Sequence, residues 1–305
     1  MDQYPLGRDQ RAATDKPAII IADGDTHSAG AQTTIEAAGL RLGAKVPLRA
    51  ARQRLSDQAS ASAIWVEMRD PLDDEAVALL DEINARASNG QYAAIVSTTG
   101  KLIDPILARI DDPQVEIIVD ADDAQRAAAL ALGLARLNAA GRVSDAASDK
   151  GAERLRQLSE EVNRIAATLA RLSTGPSPAA LPAVVSEQDE APAVEAETVR
   201  SVIRARRLRS RYFSEEFFAD PAWDMLLDLL QAEIAQLRVP VSSLCIAAAV
   251  PATTALRWLK TMVQEGIFVR RADPHDGRRV FVELSPEASR GLRRYFAEVG
   301  KVAVI

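Results

Sequence analysis

Short apolar segments alternate with amphipathic ones over the first 140 residues. Such strands, recurring about every 20–30 residues with helical patterns between them, indicate βαβ units and a parallel sheet. Residues 17–140 are therefore predicted to form a doubly wound, flavodoxin-like α/β domain, and residues 1–16 are predicted to be disordered. The predicted strands are Ala18–Ala22, Ala44–Leu48, Ala63–Glu67, Ala93–Thr98 and Val115–Val119, and helices are predicted at Asp74–Ala87 and Ala121–Asn138.

A heptad pattern follows within residues 148–173. Its apolar positions, separated by three and four residues in turn, are Leu155, Leu158, Val162, Ile165, Leu169 and Leu172. The pattern predicts a helix that either packs on its own domain or forms a short parallel coiled coil. We favour the coiled coil, and with it a homodimer, because no further apolar segment follows for the helix to cover. Residues 174–199 are rich in Pro, Ala and acidic residues, which predicts a flexible linker.

The apolar pattern of residues 200–305 predicts an α+β winged helix-turn-helix domain. Helices are predicted at about 242–248 and 253–265, with Pro251 at the start of the second, where its missing N–H is tolerated. Alternating apolar residues on both sides of the segment DPHDGRR then predict a β-hairpin. A hairpin directly after such a helix pair has the layout of a DNA-binding wing.

Charge divides the chain in the same way. The net charge is −6, yet residues 200–305 carry 17 Lys and Arg against 12 Asp and Glu, whereas the remainder carries 20 against 31. The basic part is therefore expected to bind a polyanion. With a single cysteine, two histidines and no run of 18 apolar residues, we expect no disulfide, no zinc site, no cofactor and no membrane span. These features favour a cytoplasmic, nucleoid-associated protein.

Double-stranded DNA is the expected partner. A recognition helix enters the major groove by its N-terminal residues, and wing arginines contact the minor groove or phosphates. The segment RSVIRARRLRSR holds six arginines and is either a solvated helix face or an arm that contacts phosphates. The predicted DNA-binding residues are Thr253, Thr254, Arg257, Lys260, His275, Arg278, Arg279, Arg206, Arg207 and Arg209.

The segments TTALRWLKTMVQEGIFVRR and DPHDGRRVFVELS resemble the MarR family of winged-helix transcription regulators over about residues 217–296. The resemblance implies dimeric binding of double-stranded DNA, with helix 253–265 in the major groove, Arg278 in the wing and Asp276 bracing it. That family dimerises through long terminal helices, whereas a short segment, GLRRYFAEVGKVAVI, follows the wing here. Dimerisation is therefore expected to involve the coiled coil and the α/β domain.

The N-terminal part resembles the receiver domain of response regulators over roughly residues 17–138. Its degenerate acid pocket would comprise Asp23, Asp25, Glu67 and Thr98. Gly24 stands at the second acidic position, Glu67 stands in place of the phosphoacceptor aspartate, and no lysine follows the last strand. The resemblance therefore implies a domain that is not phosphorylated and that dimerises or binds a protein partner.

Two other functions compete with a DNA-binding regulator. One is a haloacid-dehalogenase-like phosphatase, which the segment DGDT resembles, with Ser97, Lys101, Asp122 and Asp123 as further candidates. The fit is poor, because His27 stands where that motif has threonine, and Asp122 and Asp123 suit the first turn of a helix better. The other is an adaptor whose winged helix docks a protein. The cationic residues of the winged helix favour the regulator, so we expect no enzyme.

Overall fold

The computed structural model describes residues 16–57, 60–145, 192–213 and 218–299. The predicted disordered N-terminus up to residue 15, the heptad segment and most of the predicted linker lie outside these ranges. The described residues up to Leu137 and from Pro192 onward form one compact unit. We call its two parts the α/β domain and the winged-helix domain.

The α/β domain is built on a five-stranded parallel sheet. Its strands are β1 (Ala18–Ile21), β2 (Leu42–Val46), β3 (Ala63–Glu67), β4 (Ala93–Thr98) and β5 (Val115–Val119). The order β2-β1-β3-β4-β5 is that of a flavodoxin-like doubly wound sheet, which confirms the predicted topology and leaves β5 at an edge. Strand β2 begins two residues before its predicted start, in a half-exposed edge strand where the apolar signal is weak.

Helices cover both faces of the sheet. They are α1 (Asp25–Ala37), α2 (Leu48–Asp57), α3 (Asp74–Ser88), α4 (Ile103–Leu107) and α5 (Asp123–Asp145). Alternate strand residues face opposite sides, so Ile19 and Ile21 pack with α2, α3 and α4, whereas Ile20 packs with α1 and α5. Helix α5 extends seven residues beyond its predicted end at Asn138 and past the predicted domain end at residue 140.

The winged-helix domain contains helices α6 (Ala196–Leu208), α7 (Pro221–Ile234), α8 (Val241–Ala247), α9 (Ala252–Gln264) and α10 (Pro286–Val299). Its antiparallel sheet has the order β6-β8-β7, with β6 at Val239–Pro240, β7 at Phe268–Ala272 and β8 at Val280–Leu284. The predicted helix-turn-helix is α8 and α9, each starting one residue early. Gly266, at φ +70°, closes the turn between α9 and the hairpin.

The predicted linker extends too far toward the C-terminus. Helix α6 begins at Ala196, and Val199 is fully buried. Val199, Val202 and Ile203 lie on one face of the helix and pack against the core of the winged-helix domain. This apolar face outweighs the acidic composition, so residues 196–199 are helical rather than linker.

The two domains share one apolar cluster. Ile103, Leu107 and Val119 of the α/β domain are buried in the same cluster as Leu244 and Leu256 of α8 and α9. The sequence pattern gave no indication of this contact. Within the described ranges, no single helix is long and apolar enough to cross a membrane, and α8 with α9 meets that test only as a pair bent by 109°.

Candidate nucleic-acid interface

The helix-turn-helix is set up by local backbone geometry. Helix α8 ends at Ala247, Ala249 adopts a positive φ of 52°, and Pro251 precedes α9 in an extended conformation. The buried residues Ala255, Leu259 and Met262 lie on one face of α9 and pack it into its own domain. The turn and this apolar stripe fix which side chains of α9 lie on its outer faces.

Part of the outer surface of α9 lies against the edge strand β5. Thr253 is 1% exposed, and its hydroxyl accepts from the Val119 amide at 2.9 Å and donates to the Val119 carbonyl at 3.3 Å. A parallel edge strand leaves backbone groups without a neighbour, and here one threonine side chain supplies both partners. Thr253 therefore contacts β5 rather than solvent.

A buried carboxylate lies beside it. Glu116 of β5 is 2% exposed, and three cationic side chains converge on it. Lys260 Nζ lies 3.3 Å from Oε1, Arg257 Nε lies 3.7 Å from Oε2, and Arg136 of α5 contacts Oε1. Burial lowers the pKa of Lys260, while the charge of Glu116 acts in the opposite direction. Two predicted DNA-binding residues, Arg257 and Lys260, thus pair with an acid of the α/β domain.

Two further polar contacts join the domains. Asp104 of α4 accepts hydrogen bonds from the Ser242 amide, at 3.0 Å, and from the Ser242 hydroxyl, in the first turn of α8. Arg270 of β7 donates to the carbonyls of Leu107 and Ile110, and burial lowers its pKa. We call all contacts of α4, β5 and the α4–β5 loop with α8, α9 and β7 the docking contact.

The wing tip is exposed and internally braced. Asp276 accepts from the Arg278 amide at 3.0 Å and lies 3.3 Å from Arg279 Nε, the bracing role expected for it. Asp273 accepts from the His275 amide, and this hydrogen bond lowers the pKa of its carboxyl. His275, Arg278 and Arg279 are exposed, whereas Thr254 is half-buried on α9.

The arginines of α6 and of the 3-10 turn after it have different surroundings. Arg206 is largely buried, with Nε 2.7 Å from Asp224 of α7, so it is held in its own domain. Arg209 lies over the ring of Phe218 at 5.6 Å. Arg207 instead lines an open groove of about 420 Å³ together with Arg200, Arg204 and Arg211. Arg200, Arg204 and Arg207, spaced four and three residues apart, lie on one face of α6, and Arg211 belongs to the 3-10 turn Arg209–Arg211 that follows it.

The acid pocket is partly assembled. Asp23 and Glu67 line a cavity of about 70 Å³, and Arg69, which the sequence did not suggest, lines it too. Glu67 is buried and accepts from Trp65 Nε1 at 2.8 Å and Arg69 at 3.1 Å. Asp23 accepts from the Leu48 amide at the start of α2. Thr98 is buried but does not line this cavity, and Asp25 is the first residue of α1.

Other sequence candidates take structural roles. Asp122, directly before α5, accepts from the Gln125 amide at 2.8 Å, and Asp123 in the first turn of α5 pairs with Arg126. Cys245 is buried, which raises the pKa of its thiol to about 12. Trp258 is 41% exposed on α9 despite its large apolar side chain. Among the described residues, no group of three or more His, Cys, Asp or Glu is placed to hold a metal ion.

Comparison with known proteins gives partial similarities. A transcriptional regulator from Thermotoga maritima is 18% identical, over 34% of this chain and 79% of its own, with a TM-score of 0.21. The adhesin competence repressor from Streptococcus pyogenes is 13% identical, over 33% of this chain and 72% of its own, also with a TM-score of 0.21. No family model and none of the curated proteins compared matches the chain.

Proposed function

We propose that this protein is a transcription regulator that binds double-stranded DNA through a MarR-like winged-helix domain. The observation that carries the proposal is the exposed, aspartate-braced wing tip with His275, Arg278 and Arg279 directly after a helix-turn-helix. Cationic side chains on such a hairpin suit phosphates and the minor groove. Thr254 of α9 and Arg207 of α6 are proposed as further contacts.

Binding through α9 requires the docking contact to open. Thr253, Arg257 and Lys260 are proposed to contact DNA, yet in the closed arrangement they contact β5. DNA and the α/β domain would then compete for the same side chains, so DNA affinity would depend on the closed and open populations. Arg206 is not retained as a DNA contact, because Asp224 already pairs with it.

We propose roles in this function for the heptad segment and for the α/β domain as well. The heptad segment would join two copies into a homodimer, which favours a palindromic site. The α/β domain would act as a phosphorylation-incompetent, receiver-like module that binds the winged helix or a protein partner. Glu67, at the position of the phosphoacceptor, supports this role, because its side chain is buried and its carboxylate accepts hydrogen bonds from Trp65 and Arg69. Such a protein would work in the cytoplasm, at the nucleoid.

A protein-docking adaptor is the second candidate. The surface of α9 that would meet DNA already packs on another protein surface, the edge of β5. A helix with this property suits a protein partner as well as DNA. The two functions differ in their dependence on salt, because phosphate contacts release counterions and protein docking does so far less.

The test is a titration of fragmented genomic DNA with the full chain across a salt series. Replacing Arg278 by alanine should weaken binding and reduce the slope of log K against log salt by about 0.9, the contribution of one phosphate contact. Arg290→Ala is the matched control, since Arg290 is exposed on α10 and pairs with Glu287 at 3.0 Å. Arg290→Ala should leave the slope of log K against log salt unchanged.

Two results would contradict the proposal. One is equal binding by wild type and Arg278→Ala with the same salt slope. The other is absence of DNA binding at low salt both in wild type and in the variant Glu116→Gln, in which the docking contact is weakened. Either outcome would favour the adaptor.

A further inference from the structure

The open groove along α6 is a surface separate from the helix-turn-helix. We call it the arginine groove, after the four side chains that line it: Arg200, Arg204, Arg207 and Arg211. Its described lining comes from α6, the 3-10 turn after it and Gln231 of α7, with the apolar side chains of Ile203 and Leu208 among the arginines. A rise of about 1.5 Å per residue spaces the arginines of α6 by roughly 4.5–6 Å along the helix axis. The row is therefore an extended cationic track rather than a compact anion pocket.

Little negative charge opposes this row within the described chain. Glu197 pairs with two of the four arginines, at nitrogen–oxygen distances of 3.1 and 3.4 Å, but all three side chains are largely exposed. Exposed pairs of this kind contribute little to stability, so a phosphate can replace the glutamate. Arg207 lies near the partly buried Asp228, and Arg211 forms no ion pair with any described residue. The arginine groove thus keeps an excess of positive charge that suits a polyanion.

Two exposed aromatic rings follow the groove directly. Tyr212 is 73% exposed and Phe213 is 63% exposed, immediately after Arg211. Phe213 packs edge-on against Phe218, with ring centroids 5.9 Å apart, and Arg209 lies over the Phe218 ring. Tyr212 makes no ring contact and no side-chain hydrogen bond with any described residue. Its ring is therefore free to stack on a partner.

Arginines beside exposed rings are typical of a surface that binds single-stranded nucleic acid. The guanidinium groups follow the phosphates, and the rings stack on bases. A duplex keeps its bases stacked on one another, so it would leave the rings without a partner. An acidic peptide would pair with the arginines but would use the rings only if it also carried apolar side chains. The combination favours a single strand over both.

We propose that the arginine groove, together with Tyr212 and Phe213, binds a single strand of DNA or RNA. The phosphates of the strand lie along the four arginines, and a base stacks on Tyr212. This site goes beyond the proposed function, because it is separate from α9 and the wing and needs neither a duplex nor opening of the docking contact. Arg207, proposed above as a DNA contact, contacts the single strand from this groove.

The test is fluorescence anisotropy of labelled oligothymidine and oligouridine with the full chain across a salt series. Each strand has about 15 nucleotides, which is within the site sizes of known single-strand-binding folds. An abasic strand of the same length carries the phosphates without the bases. At least one base-bearing strand should bind about tenfold more tightly than the abasic strand, because stacking on the rings contributes to its affinity. The strand that binds more tightly identifies DNA or RNA as the source.

Variants separate the stacking from the charge. Tyr212→Ala should weaken binding of the base-bearing strand about tenfold and leave the abasic strand unaffected, whereas Tyr212→Phe should bind both as wild type does. Both variants should unfold in urea as wild type does, since the side chain is exposed. Arg211→Gln should weaken binding of both strands and reduce the slope of log K against log salt by about 0.7, the contribution of one phosphate of a single strand.

The matched charge control is Arg290→Gln on α10, where the arginine is exposed and pairs with Glu287. It should leave single-strand affinity and the salt slope unchanged. Arg278→Ala in the wing separates this site from the proposed function, because it should weaken duplex binding and leave single-strand binding as it is. Loss of single-strand binding in Arg278→Ala would place the strand on the wing and overturn the proposal.

Other results would also overturn it. These are failure of wild type to bind either base-bearing strand at low salt, equal affinity for base-bearing and abasic strands, and unchanged binding by Tyr212→Ala and Arg211→Gln. Tighter binding of polyglutamate of the same length would indicate an acidic protein partner instead. Tighter binding of vesicles that contain phosphatidylglycerol would indicate an anionic membrane surface.

Discussion

At the scale of single residues, Glu116 shows that the surrounding charges determine whether a buried carboxylate is tolerated. It interrupts an otherwise apolar edge strand, where an unpaired carboxylate would be strongly destabilising. Arg136 of the following helix and two cations of α9 surround it instead. Its burial is therefore compatible with the fold only while positive charge faces it.

Asp228 on α7 is a partly buried carboxylate whose own pKa is raised, so its effect on the stability of the protein should depend on pH. Burial raises the pKa of its carboxyl above 3.8, and Arg207 only partly offsets this. A folded-state pKa above the unfolded value means that the folded protein is favoured at acid pH, and that this advantage is lost as pH rises through the folded pKa. Above the folded pKa, the ionised, partly buried carboxylate therefore destabilises the protein.

Replacing Asp228 by asparagine should thus raise the free energy of unfolding at pH 7, measured by urea denaturation. The gain should shrink as pH falls through the folded pKa toward 3.8. The control is Asp224→Asn on the same helix, which removes the partner of Arg206 and should destabilise at pH 7. A gain at Asp228 that grows toward acid pH would refute the assignment.

At the scale of elements, α9 packs against β5 at the edge of the sheet, where no further strand of the described chain pairs with β5. Its Thr253 hydroxyl forms hydrogen bonds with both the amide and the carbonyl of Val119. The Asp104 carboxylate accepts a hydrogen bond from the Ser242 amide in the first turn of α8. Each domain thus supplies a side chain that satisfies backbone groups of the other. The docking contact is consequently specific in position, rather than a general apolar contact.

Weakening the docking contact from the α/β side should increase DNA affinity. Glu116→Gln and Asp104→Asn leave every residue of the winged-helix domain unchanged, but each removes charge-assisted contacts across the interface. If the closed arrangement dominates, each loss of about 1.4 kcal/mol in closure raises the apparent DNA affinity about tenfold. Fluorescence anisotropy with a DNA fragment at fixed salt measures the change.

The control for this prediction is Glu75→Gln, an equal change of charge at an exposed position in the first turn of α3. It should leave DNA affinity nearly unchanged. Comparable gains in all three variants would assign the effect to net charge rather than to the docking contact.

The elements themselves could largely be predicted from sequence. Alternation and periodicity located four of the five parallel strands to within one residue, and α8 and α9 likewise, because these patterns report local burial. The docking contact could not be predicted, since Thr253 and Val119 are 134 residues apart and Lys260 and Glu116 are 144 apart. The exposure of Trp258 could not be predicted either, because a large apolar side chain does not reveal which helix face lies outward.

At the scale of the whole molecule, DNA binding and exposure of the sheet edge should occur together. Hydrogen exchange can follow this through the Val119 amide, which donates a hydrogen bond to the Thr253 hydroxyl in the closed arrangement. Saturating DNA should speed its exchange, while the amide of Ile95 in the interior strand β4 should be unaffected. Unchanged protection of Val119 in the DNA complex would mean that α9 stays docked while the protein binds DNA.

If α9 binds DNA as proposed, its two contacts limit how its sequence can change. A substitution at Thr253, Arg257 or Lys260 that alters the preferred DNA sequence would also alter the fit to Val119 and Glu116. Under the proposed function, DNA specificity and basal occupancy of DNA would change together, and neither could be tuned alone at these positions. An engineer who wishes to retarget this protein would need to vary β5 along with α9, or to confine changes to the wing.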